Sequence, residues 1–160
     1  MNTQIEIVID GGQWPPLDTL RRWVSECLAA MAGKVLEPNR SSELSLLFCD
    51  DANIQSLNKR FRGLDKPTNV LSFEPADQTP GTGFLGDLAL GFETIKREAD
   101  AAGLPLKHHT QHLIVHGILH LCGYDHIMEE DASVMEGIEV EILSTMGLHN
   151  PYLANEPVRV

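Results

Sequence analysis

His116-Gly117-Ile118-Leu119-His120-Leu121-Cys122-Gly123-Tyr124-Asp125-His126 closes a long apolar stretch and decides how the rest of the chain is read. His116 and His120 are one helical turn apart, so a helix points both imidazoles the same way. Gly123 offers a stop, because glycine accepts the left-handed backbone of a C-terminal cap. His126 follows just past that turn, where a folded-back loop can bring a third imidazole to the other two. Three neutral imidazoles around one point leave a fourth tetrahedral position open, the arrangement of a catalytic zinc. One Zn2+ per chain, held by His116, His120 and His126, is the expectation. Three unrelated histidines are the plainer alternative, and the glycine turn with a third histidine close behind it weighs against that.

The same run, HGxLHLxGYDH, resembles the signature of the YbeY family of metal-dependent endoribonucleases. Its spacing is also similar to the HExxHxxGxxH run of metzincin proteases. Gly117 marks the departure from those proteases, since it stands where they carry the general-base Glu. A peptidase of that type would lack the group that deprotonates its water.

A chain of 160 residues with 42% apolar content fits one domain over 1–160, burying about two-thirds of its unfolded surface. No run of about 18 apolar residues suggests a membrane span, and the opening residues lack the basic start of a signal peptide. Cys27, Cys49 and Cys122 are odd in number and sit in apolar segments. They read as reduced core thiols of a cytoplasmic protein. The net charge is −11, from 12 basic and 23 acidic residues. Such a chain attracts a polyanion only locally. Lys59, Arg60, Arg62 and Lys66 form the one concentrated basic stretch that could do so; a solvated helix end is the alternative.

Residues 4–9 read as a strand, 17–32 as a helix introduced by Pro15 and Pro16, and 43–49 as a second, buried strand. Asp50 and Asp51 suit a helix start. The short helix that follows is expected to turn Ile54, Leu57 and Phe61 inward. Residues 70–73 and 84–91 read as strands, with Asp87 interrupting the second. Residues 74–83 form a Pro- and Gly-containing loop, placed by this reading over a cleft. A helix over 93–102 ends at Gly103, and Pro105 begins the one carrying the histidines. His112 shares their face, one turn earlier, and either lines the cleft or rivals His126 as third ligand. His108 and His109 are expected to be exposed. A last helix buries Val134, Met135, Ile138, Ile142 and Met146, with Glu136, Glu139 and Glu141 on its solvated side. From about 149 the tail is expected to be extended. The order β-α-β-α-β-β-α-α-α fits an α+β fold, a small mixed β-sheet packed against helices with the metal-binding helix central.

The resemblance covers about 44 to 152 and includes a second motif, Phe61-Arg62-Gly63-Leu64-Asp65-Lys66-Pro67-Thr68-Asn69-Val70-Leu71-Ser72-Phe73. It implies a zincin-like fold in which this run joins a helix to a strand beside the metal, with the Leu85-Gly86-Asp87 run at a sheet edge near the active centre. Asp87 and His112 are then candidates for ordering a ligand histidine or a water. With the match, Arg62 becomes the expected catalytic side chain, its planar donors suited to phosphate oxygens. Lys66 and Lys59 are candidates for substrate binding beside it. The family implies a zinc-dependent endoribonuclease directed at single-stranded RNA, acting in ribosomal RNA maturation at the small-subunit 3′ end and in ribosome quality control. Expected partners are single-stranded and ribosomal RNA and the small ribosomal subunit, with no membrane and no DNA. No general base is evident, so either a metal-activated water or the RNA 2′-hydroxyl could be the nucleophile. Two alternatives stay open: a zincin-like metallohydrolase of peptides or other esters, and a non-catalytic ribosome assembly factor with a structural zinc.

Overall fold

The computed structural model describes residues 2–36, 41–75, 84–124 and 129–152. Within them lie β1 (Asn2–Asp10), α1 (Leu17–Met31), β2 (Ser41–Cys49), α2 (Asp51–Arg62), β3 (Val70–Phe73), β4 (Phe84–Gly91), α3 (Phe92–Ala102), α4 (Leu106–Leu121) and α5 (Glu129–Thr145). This is the expected order of elements. The strands make one mixed sheet, β1-β2-β4-β3, in which β1, β2 and β4 run parallel and β3 pairs antiparallel with β4. The α+β class and the small mixed sheet therefore agree with the sequence reading. The 84–91 strand is not at a sheet edge, however. It takes an interior place because β2 pairs with it directly, which leaves the short β3 outermost.

Alternation along the strands separates two cores. Leu44, Leu46, Phe48, Leu88 and Leu90 are buried in the larger cluster, which α1 completes with Leu20, Val24, Cys27, Leu28 and Met31. Those α1 positions recur at helical spacing, so one face of the helix carries them all. Helix α4 packs against α1, α3, α5, β3 and β4. It accordingly buries Leu113, Ile114, Val115, Ile118 and Leu119 on several sides. The opposite side of the sheet carries a smaller cluster, Cys49, Ile54, Leu71 and Ala89, with Leu47, Leu57 and Phe73 against it. Helix α2 covers that cluster. Its start is held by Asp50, whose carboxylate accepts from Asn53 N at 2.8 Å.

Three side chains of α2 and α5 depart from expectation. Phe61 is 51% exposed, because the small cluster is filled by Ile54 and Leu57 before the last turn of α2 is reached. Val134 is exposed and Leu143 is buried in its place. Glu139, expected in solvent, is fully buried. The three cysteines are free thiols, and burial pushes Cys49 up to about 12 and Cys122 up to about 11. No helix among the described residues is long and apolar enough to cross a membrane.

Gly117 shows how closely α4 lies on the sheet. A Cβ there would come within 2.7 Å of Leu88 Cδ2 and 3.2 Å of Ser72 Oγ, and Ser72 Oγ already donates to Gly117 O at 3.2 Å. The position faces β3 and β4, so installing the zincin glutamate there would drive a carboxylate into packed side chains. Gly117→Glu is expected to destabilise the protein by about 3 kcal/mol or more through overpacking and burial of a charge. Thermal denaturation of the purified variant checks this, and a melting temperature equal to wild type would contradict the close packing.

Candidate metal centre

Helix α4 ends at Leu121, and Gly123, at φ 98°, turns the chain so that Tyr124 N donates to Leu119 O at 3.1 Å. The turn is the one expected from the sequence, and it has a chemical consequence. It sets the Tyr124 carbonyl 3.0 Å from His120 Nδ1. A carbonyl only accepts, so the proton of His120 sits on Nδ1. His116 Nδ1 lies 2.8 Å from Glu139 Oε1. Burial alone would raise the Glu139 carboxyl, but the nearby His112 and hydrogen bonds from His116 and Tyr152 outweigh it and hold the group at about 2. Glu139 is thus a carboxylate, and His116 donates to it from Nδ1.

In the neutral form of each ring, with Nδ1 protonated, the lone pair is on Nε2. The two Nε2 atoms lie 3.1 Å apart, with the rings nearly perpendicular. In that tautomer two lone pairs at this distance suit a shared cation. Nitrogens bound about 2.0–2.1 Å from a tetrahedral zinc would be about 3.3 Å apart, so the pair fits a shared metal ion. Among the described residues no group of three or more His, Cys, Asp or Glu side chains has the geometry to hold a metal. His126, the expected third ligand, lies outside the described residues.

Glu139 and Tyr152 are the parts of this centre that sequence reasoning missed. Tyr152 donates its hydroxyl to Glu139 Oε2, and burial with the neighbouring carboxylate pushes the phenol above its usual range, which keeps it a donor. The tail expected to be extended is therefore seated against the site as far as Tyr152; residues 153–160 lie outside the described residues. A signal for Glu139 was present. It falls four residues after Met135 and three before Ile142, on the buried face of α5. A glutamate at that spacing is either an error of packing or a functional group.

The histidines open into a cleft of about 770 Å³, lined by Arg62, Asn69, Ser72, Phe73, His112 and Tyr152 among others. Arg62, the last residue of α2, donates from Nη2 to Ser72 O at 2.6 Å and lies over the Phe73 ring at 5.1 Å. The backbone of β3 thereby aims its guanidinium along the cleft. His112 also lines the cleft, with Nε2 3.6 Å from Glu139 Oε1. The other expected residues are not brought in. Lys59 pairs with Asp65 at 3.9 Å, and neither Lys59 nor Lys66 is on the cleft wall. Asp87 projects from the face of β4 opposite Leu88, where partial burial and Glu6 raise its carboxyl. Strand alternation puts it on the far side of the sheet from the histidines. His109, expected in solvent, is instead 2.9 Å from Glu98 Oε1, and Glu98 also accepts from Asn69 at 3.0 Å. Residues 76–83, from the loop expected over the cleft, lie outside the described residues.

Comparison with known proteins points to an endoribonuclease family. The family model described as endoribonuclease YbeY matches residues 11–147. An endoribonuclease YbeY from Chelativorans sp. is 48% identical, with 92% of each chain covered. One from Ruegeria pomeroyi is 46% identical over 92% of this chain and 97% of its own. A solution structure of a Thermotoga maritima protein matches with a TM-score of 0.55 at 23% identity, covering 94% of this chain and 97% of the other, and supports the fold alone. The match spans both the histidine run and the Arg62 motif, so this chain belongs to the endoribonuclease YbeY family.

Proposed function

We propose that the protein is a zinc-dependent endoribonuclease that cuts single-stranded RNA during ribosomal RNA maturation. Family membership supports the reaction class and the RNA substrate. The observation that carries the chemistry is the facing pair of Nε2 atoms on His116 and His120, beside Arg62 in one cleft. His116, His120 and His126 hold one metal ion in this reading. When bound, it supplies Lewis acidity toward a phosphoryl oxygen or a water. The fold is zincin-like in the same sense, with α4 as the metal-bearing helix at the centre.

The chain's own side chains do the rest. Glu139 and the Tyr124 carbonyl hold the two imidazoles in the tautomer that leaves Nε2 available. Arg62, anchored through Ser72, offers its remaining donors to the phosphoryl oxygens as charge builds on them. The net charge of −11 repels RNA at long range, so binding by the isolated protein is weak and salt-sensitive. A partner that raises local concentration fits this balance. That partner is the small ribosomal subunit, with action at its RNA 3′ end and in ribosome quality control in the cytoplasm. DNA is not a substrate in this reading.

The peptidase alternative is disfavoured by Gly117, which faces the sheet and carries no base. A matched panel of single-stranded RNA, single-stranded DNA and peptide, incubated with metal-replete protein and a His116→Ala control, tests the proposal. Cleavage of RNA alone, lost in the control, is expected. Cleavage of peptide, or RNA cleavage undiminished in His116→Ala, would overturn it.

A further inference from the structure

The exposed end of α2 carries an arrangement that the metal centre does not use. Phe61 is 51% exposed and Leu64 49% exposed, although the helical spacing would bury Phe61. The Arg60 guanidinium lies 5.1 Å over the Phe61 ring. Phe61 also meets Phe73 edge-on, with ring centres 5.3 Å apart, and Phe73 lines the histidine cleft. Arg62 covers the Phe73 ring in turn. Two aromatic rings and two guanidinium groups are thus linked by successive contacts from the exposed Phe61 to the cleft. The last turn of α2 concentrates Lys59, Arg60 and Arg62 in a chain whose net charge is −11.

The geometry points to Phe61, flanked by Arg60, as the platform on which one unpaired base of the RNA stacks beside the cleft. This rests on the endoribonuclease reading and adds to it the group that recognises a single strand. Aromatic faces accept any base, and guanidinium planes stack on bases while attracting the phosphates that link them. A base inside a duplex has both faces covered by its neighbours and cannot use such a platform, so the platform selects unpaired nucleotides. The basic turn favours a nucleic acid over a protein as the occupant, since it matches the charge of a phosphate backbone.

The test uses a single-stranded RNA carrying 2-aminopurine at one position at a time, because that base loses fluorescence when it stacks on an aromatic ring. Anisotropy of the same RNA, read before product forms, reports affinity with zinc-loaded full-length protein. Wild type is expected to quench 2-aminopurine at one position. Phe61→Ala should bind about tenfold more weakly and lose the quench. Phe61→Leu, which keeps an apolar contact with Phe73, should behave like Phe61→Ala, whereas Phe61→Trp should restore both signals. Arg60→Ala should flatten the salt dependence of binding, which Phe61→Leu should leave unchanged. Wild-type affinity and quench in Phe61→Ala would overturn the platform and leave the patch to a protein contact. Absence of a position-specific quench in wild type would overturn it as well. Cleavage of the same RNA, followed separately, reports on the endoribonuclease reading, so the two can fail independently.

Discussion

Arg62→Ala is expected to keep its zinc and its fold while cutting RNA ~10²-fold more slowly or worse, as loss of a preorganised donor does at other charge-stabilising sites. The side chain is exposed and, among the described residues, packs over Phe73 and against backbone carbonyls, so its removal leaves the core untouched. Its anchor on Ser72 O fixes where the guanidinium points before substrate arrives. Arg62→Lys should recover part of the rate, because an ammonium keeps the charge and loses the forked geometry. Arg62→Glu should be slowest, with a carboxylate facing the phosphate. Single-turnover cleavage by the zinc-loaded set measures all of this. Equal rates throughout would remove Arg62 from the reaction.

Glu139→Gln changes the metal centre from behind. The carboxylate accepts from His116 Nδ1 and from Tyr152, and His112 Nε2 lies 3.6 Å away. A carboxamide of the same size has only one acceptor oxygen, and its NH2 can oppose the Nδ1 proton. His116 then loses the partner that fixes its tautomer and keeps the Nε2 lone pair available to the proposed metal ion. Groups in this position commonly contribute 10- to 100-fold in metal affinity, and a loss of about that size is expected. Competition of each protein against a chelator measures it, with circular dichroism to show that the variant is folded. Unchanged zinc affinity would mean that Glu139 serves packing alone.

The parts of this molecule that were legible in the sequence are those in which local spacing has one geometric meaning. His116 and His120 share a helix face whatever the helix packs against, and Gly123 ends that helix because few other residues tolerate its backbone. The order of strands and helices followed from the same periodicities. Glu139 was lost because its charge was read as exposure, although its spacing from Met135 and Ile142 already placed it inward. Tyr152 was lost for a different reason. Its contact with Glu139 closes a loop of the tail onto α5, and no local pattern announces where a tail will land. Asp87 and Phe61 depended on which face of the sheet each element covers. That in turn depends on β2 pairing with β4 across two intervening elements, a choice that strand propensity does not encode.

Zinc-titrated cleavage tests most directly the claim that one metal ion on the histidines drives RNA cutting. The protein is stripped with a chelator, desalted, and given zinc in steps below and above one equivalent, with single-turnover cleavage of one single-stranded RNA read at each step. The rate should start near zero, rise in proportion to added zinc, and level off at one equivalent per chain. In His120→Ala it should stay near the floor over the same range. Full cleavage by the stripped protein, or a wild-type titration curve from His120→Ala, would contradict the account.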